Sequence, residues 1–296
     1  MAVWTRRQCL SQFGIGAAAF TLAPSLLAEE PHITISPLNK LSDEDEIELG
    51  RRFAAELEKE ETVISNILID HYLGNIVVGL AAQSQRPNLP YQVKLINSHV
   101  PNALSLPGGI LYVNRGLIEM INSEDELAAA LAHEIGHVAG RHVVNKLLMS
   151  FAAKSLLKPV LDNLHKTNGV IESIILKLGG AVGMLAMLHF SRADESQADL
   201  LGFYEMLRAG WDPHGYLALF DHLNALEKSS NGIRIPFLSD HPPTPERAEA
   251  IRHELEGVTV PSGAATDSVK FQVFKTAMGL LPEPPKKPES PETPQQ

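Results

Sequence analysis

The chain offers almost no sulfur chemistry. Cys9 is the lone cysteine among 296 residues, so no disulfide forms within one chain, and a transition-metal site has to be built from His, Asp or Glu. Positive charge is also scarce. Thirty-five Asp and Glu outnumber 25 Lys and Arg, for a formal net charge of -10, and the body holds no basic cluster, which argues against a nucleic-acid partner. No apolar run reaches the ~20 residues of a spanning helix. Gly14, Gly16 and Pro24 interrupt one stretch, and Glu172, Lys177 and His189 break the apolar segment 170–190, "VIESIILKLGGAVGMLAMLHF". That segment is expected to pack in the core, with peripheral contact to a membrane surface as the other reading. No internal repeat is visible, and no helical-repeat array is expected after residue 260.

What is present begins with an N-terminal stretch built like an export signal. Residues 1–28 hold Arg6 and Arg7, no acid, an apolar region from Phe13 to Leu27, and the small residue Ala28. "TRRQCLSQF" resembles a twin-arginine signal, with Cys9 and Ser11 where that pattern has an aromatic and a lysine, so general secretion is the other route. Cleavage near Ala28 would remove Cys9 and bring the charge to -12. A single domain is expected over 29–281, followed by a disordered tail, 282–296, with six prolines in fifteen residues.

Within the domain, "LSDEDEIELGRRFAAELEKE", 41–60, has Ser42 as N-cap, acids in its first turn and Ile47, Phe53, Ala54 and Leu57 at helical spacing. A second helical pattern covers 62–83. "YQVKLINS", 91–98, alternates like a strand, and two short β-type runs flank the turn Pro107, Gly108, Gly109, so a small antiparallel sheet is expected. A long helix follows over "SEDELAAALAHEIGHVAGRHVVNKLLMSF", with Ser123 and Glu126 spaced as a capping box. Further helices are expected over 193–208, 213–227 and 245–256. The fold class is therefore α+β, mainly α.

The chemistry gathers in "LAHEIGHVAGRH", 131–142. On a helix, residues four apart lie about 40° and about 6 Å apart, so His133 and His137 can reach one ion. Glu134, about 100° from His133, stands beside such an ion, where it can take a proton from water. A catalytic zinc has three protein ligands and an open position, which leaves a third ligand to be found. His142 is one candidate. It falls one residue short of the spacing H-E-x-x-H-x-x-G-x-x-H, and on a continuing helix it is turned about 140° from His137. Glu195 is the other, in "SRADESQADLLG", 191–202, where Asp199 shares its helix face. Geometry favours Glu195, which leaves Asp199 free to accept from the second ring nitrogen of a ligating histidine.

"HEIGH", "RADESQAD" and the preceding "NALSLPGGILYVNRGLI" together resemble the gluzincin metallopeptidases that include HtpX, the CAAX prenyl endopeptidases and the periplasmic β-barrel-assembly-enhancing proteases, over about residues 40–255. The resemblance implies a zincin-like domain with a sheet beside the active-site helix and one zinc on His133, His137 and Glu195. It implies Glu134 as general base and Asp199 behind a ligand. It also singles out "DHPPTPERAEAI", 240–251, with His241 able to cap the zinc and Arg247 near the substrate.

The expected function is therefore a zinc endopeptidase of the periplasm that cleaves unfolded or misfolded proteins, with envelope assembly machinery as a possible partner. Substrate would pair with a sheet edge, expected near Ile110–Asn114. The alternative is a zinc-containing chaperone or binding module with latent or absent peptidase activity, held so by His241 as a fourth ligand.

Overall fold

The structure, a computed structural model, describes residues 41–186, 188–229 and 235–284. The export signal, 1–28, and residues 285–296 of the proline-rich tail lie outside the described residues.

Helix α1 (Asp43–Glu60) begins at the expected cap. The Ser42 hydroxyl accepts from the Asp45 amide at 3.1 Å, and the Asp45 carboxylate accepts from the Ser42 amide at 3.1 Å. The apolar pattern 62–83 divides into a two-residue strand, β1 (Val63–Ile64), and helix α2 (Ile67–Ala81), because the Asn66 side chain accepts from the amides of Leu68 and Ile69 and starts the helix there. Strands β2 (Gln92–Ile96), β3 (Ala103–Leu106) and β4 (Ile110–Asn114) follow.

The sheet order is β1-β2-β4-β3. β3 and β4 pair antiparallel across the Pro107–Gly109 turn, where Gly108 and Gly109 take φ of 75° and 93°. β2 pairs with β4 in parallel, so the sheet is mixed where an antiparallel one was expected. β3 lies on the far side of β4 and not between β2 and β4, which puts two strands that run the same way side by side. β4 is interior and paired on both sides; the edge beside the long helix is β3.

Every residue of β4 is buried, and they alternate between two cores. Leu111 and Val113 face a core shared with α2 and with helices α4 (Glu124–Ala139), α9 (Arg192–Ala209) and α10 (Gly215–Ser229). Ile110 and Tyr112 face a second core built with α1, α5 (His142–Ala153), α6 (Leu157–Asn163), α7 (Val170–Lys177) and α8 (Gly180–Leu185). Between β4 and α4 runs the short α3 (Arg115–Met120). Three helices complete the described chain: α11 (Pro236–Asp240), α12 (Pro245–Gly257) and α13 (Val269–Gly279). Within the segment 170–190 the two short helices α7 and α8 pack on α1, and among the described residues no helix is long and apolar enough to cross a membrane.

Two local expectations are corrected. Ser123 makes no capping bond to the helix amides. Its hydroxyl donates to the carboxylates of Asp125 and Glu126, and the amides of Glu124 and Asp125 donate instead to the Thr266 carbonyl at 3.1 and 3.2 Å. The helix expected to run through 123–151 breaks after Gly140, where Arg141 adopts φ 57° and α5 starts afresh at His142.

All sixteen residues of α4 are buried, and the alanine-rich surface of this central helix lets α9 approach to backbone contact. A Cβ on Gly136 would stand 2.4 Å from the Ala198 carbonyl oxygen, and one on Gly202 would stand 2.0 Å from the Tyr216 hydroxyl and 2.8 Å from the Ala132 carbonyl carbon. That close crossing sets His133 and His137 against Glu195 and Asp199.

Candidate metal centre

His133 and His137 leave α4 on one face, and their Nε2 atoms stand 3.0 Å apart. Glu195, in the first turn of α9, reaches the same point: Oε1 lies 3.3 Å from His137 Nε2 and Oε2 lies 3.6 Å from His133 Nε2. His241, at the end of α11, brings Nδ1 to 3.1 Å from His133 Nε2 and 3.0 Å from Glu195 Oε1. One ligand atom from each of these four buried side chains lies within 4.8 Å of the other three. Imidazole lone pairs facing one another and a carboxylate inside a protein are costly unless a cation or protons sit between them, so the donor set fits a divalent ion. Charge counting agrees. Among the described residues three carboxyl groups, Glu134, Glu195 and Asp199, are buried here against two groups that can be cationic, the Arg247 guanidinium and the His241 imidazole.

Behind the four clustered side chains, the Asp199 carboxylate accepts from Arg247 in a fork, with Nε to Oδ2 at 2.6 Å and Nη2 to Oδ1 at 2.7 Å. Its Oδ1 also lies 2.8 Å from His133 Nδ1. Arg247 Nη1 is 2.8 Å from Glu195 Oε2 and donates to the Pro242 carbonyl at 3.0 Å. Burial raises the Asp199 carboxyl, but the Arg247 charge and its hydrogen bonds outweigh that and hold it below its ordinary value. Glu195 is likewise raised by burial and held far lower by His241, His137 and His133. Burial lowers His137 well below an ordinary histidine, against the pull of Glu195. His241 feels the same burial, yet Glu195 and Glu134 carry it up to about 9. Arg247, expected near a substrate, stands behind the cluster and holds Asp199 and Glu195, whereas His241 is one of the four clustered side chains.

Glu134 is 1% exposed, and its Oε1 has no hydrogen-bond partner among the described residues. It opens on a cavity of about 630 Å³. One wall is β3 and the residue before it, Asn102 to Ser105; the opposite wall is apolar, with Val143, Val182, Leu185, Leu188 and Phe190. The outer edge of β3 has no strand partner among the described residues. The edge expected at Ile110–Asn114 is therefore displaced by one strand, because β4 has no free side.

Sequence reasoning missed the apolar wall. Phe190, from the turn before α9, packs 4.3 Å from the His137 ring and stacks 5.5 Å from His241. Its signal was there in the apolar residues just upstream of Ser191. His142, set aside as a ligand on spacing and left either on the helix surface or behind a ligating histidine, takes the second place. It is buried, 3.0 Å from His137 on its other side.

A helix bearing His-Glu-x-x-His against a small sheet, answered by a glutamate and an aspartate on a second buried helix, is the arrangement of the zincin class of metallopeptidases. The chain belongs to peptidase family M48, whose family model matches residues 68–255. It is 30% identical over 184 residues to the mitochondrial metalloendopeptidase OMA1 of Schizosaccharomyces pombe, covering 62% of this chain and 52% of that protein. Against the beta-barrel assembly-enhancing protease of Yersinia pestis it is 27% identical over 226 residues, 72% of this chain and 44% of the relative. The protein of the same name from Escherichia coli K12 is 25% identical over 221 residues, 73% and 45% of the two chains. The chain spans about half the length of the curated relatives it matches.

Proposed function

We propose that this chain is a zinc-dependent endopeptidase of the bacterial cell envelope that hydrolyses peptide bonds in unfolded or misfolded proteins. The observation that carries the reading is the meeting of His133, His137 and Glu195 beside Glu134, whose Oε1 accepts no hydrogen bond among the described residues and lies 3.6 Å from His241 Nε2, on the wall of a cleft bounded by a strand edge with no strand partner among those residues. Membership in a peptidase family supports it. The envelope location rests on the export-type N-terminus and on the relatives named for β-barrel assembly.

His133 and His137 would hold zinc through Nε2 and Glu195 through its carboxylate. When bound, zinc supplies a Lewis acid that polarises the scissile carbonyl and makes a water acidic near neutral pH. The protein does the rest. Asp199 Oδ1 accepts the proton on His133 Nδ1, which turns the Nε2 lone pair inward. Arg247 keeps Asp199 ionised and holds both Asp199 and Glu195 in place. Glu134 Oε1 accepts a proton from the attacking water and delivers it to the leaving amine. The edge of β3 aligns an extended peptide by main-chain hydrogen bonds, and the apolar wall receives side chains. Recognition led by the backbone selects chains that can become extended, which is the reason for assigning unfolded substrates.

Chelation gives the test. Dialysis of the full chain against a zinc chelator should abolish cleavage of a reduced, unfolded protein, and one equivalent of zinc should restore it. Cleavage that persists in the metal-free chain would contradict the reading, and the binding-module alternative gains if zinc is bound and nothing is cut.

A further inference from the structure

We propose that His142 is a positioning residue for His137, and that the break between α4 and α5 is what brings it there. The inference rests on the reading of His137 as a zinc ligand. On a continuous helix His142 would be turned away; instead Arg141 takes φ 57°, and the chain folds back so that His142 Nδ1 stands 3.0 Å from His137 Nδ1. The Nε2 atom of His142 lies 2.8 Å from Gln197 Oε1, on α9 between Glu195 and Asp199. Gly140 makes room: a Cβ there would lie 2.5 Å from His142 Nε2 and 2.7 Å from its Cε1. The ring is 3% exposed.

The proton positions follow in sequence. His137 offers Nε2 to the cluster, so its Nδ1 keeps the proton and donates to His142 Nδ1. That leaves the His142 proton on Nε2, where Gln197 Oε1 accepts it. Gln197 thereby fixes the tautomer of His142, and His142 fixes both the tautomer and the ring plane of His137. The two histidine ligands are backed differently. His133 leans on a carboxylate that is itself held by Arg247, whereas His137 leans on a neutral imidazole. A partner of the second kind orients without adding negative charge to a site already rich in it, and outer contacts of this sort typically contribute about 10–100-fold in metal affinity.

The test compares the full-length protein with His142→Leu, His142→Asn, Gln197→Leu and Gly140→Ala. Zinc affinity is measured by chelator competition, and the visible spectrum is recorded with cobalt in place of zinc. His142→Leu should weaken zinc about 10–100-fold and shift the cobalt bands. His142→Asn, whose amide oxygen can accept where Nδ1 does, should recover most of that loss. Gly140→Ala, which keeps His142 but displaces its ring, should resemble His142→Leu, and Gln197→Leu should fall between. If the leucine variant does not fold, the asparagine and Gln197 variants still decide the matter. Wild-type affinity and spectrum in His142→Leu, or an asparagine variant no better than leucine, would overturn the role of His142 while zinc binding by the wild type stands. A wild-type chain that binds no zinc would overturn both readings.

Discussion

Arg247 pairs with two carboxylates one helical turn apart and donates to a backbone carbonyl, all with one planar group that is 6% exposed. Taking away one partner of a buried ion pair costs more than the pair contributes, because the other charge is left without compensation. Arg247→Ala should therefore lower stability by about 3–5 kcal/mol in urea titrations. Arg247→Lys should recover little of it, since a point charge cannot reproduce the fork on Asp199 together with the contact to Glu195. A loss below about 1 kcal/mol for the alanine variant, the range of a surface pair, would contradict this account. The pairing of the clustered side chains was legible from spacing: His133 with His137 and Glu195 with Asp199 are four apart on helices, and His133, His137 and Glu195 meet in the structure. His241 and Arg247 carry no such spacing, and resemblance alone pointed to them. The clamp made by Arg247 depends on α12 docking beside α9, a non-local contact that no local pattern records.

At the scale of elements, the centre depends on how closely α4 and α9 cross. Gly202→Ala improves intrinsic helix propensity by about 1 kcal/mol, yet it drives a methyl into the Tyr216 hydroxyl and the Ala132 backbone. Overpacking of that kind costs about 1–3 kcal/mol, and the shift separates Glu195 from the histidines. We therefore expect Gly202→Ala to lower the melting temperature and to weaken zinc binding together. Unchanged stability and affinity would show that the crossing has slack. The helices were readable because caps and 3.6-residue periodicity are local signals. The strand order was not, since β3 and β4 are a hairpin in any order and only tertiary packing decides that β4 lies inside. Nor was the break at Gly140–Arg141 apparent, because a non-glycine residue in the left-handed region leaves no mark in composition. Helix α13, capped by the Ser268 hydroxyl, also went unread: Phe271, Phe274 and Met278 recur at i, i+3 and i+7, but the exposed Val269 and Val273 blur the stripe.

For the molecule as a whole, two cores meet at one sheet and the cleft opens where they part. Charged contacts tie the layers together, among them Asp43 at the start of α1 with Arg86 and with Arg141 at the α4–α5 junction. Burial raises Asp43, but Arg86 and Arg141 together hold it below its ordinary 3.8. A depressed carboxylate stabilises the fold above its unfolded value and loses that contribution as pH falls through the folded one. Asp43→Asn should thus lower the urea midpoint at pH near 7, and progressively less as pH drops below about 4. An equal loss at both ends of that range would mean that the charge is not responsible.

In the proposed reaction Glu134 acts on water beside a zinc that it does not bind. Zinc content and cleavage of an unfolded protein, measured side by side for the full chain and for Glu134→Gln, separate that role from metal binding. One zinc per chain is expected in both, with cleavage by the variant reduced by about 100-fold or more, as for loss of a general base. Equal cleavage by the two proteins, or loss of zinc from the variant, would rule that role out.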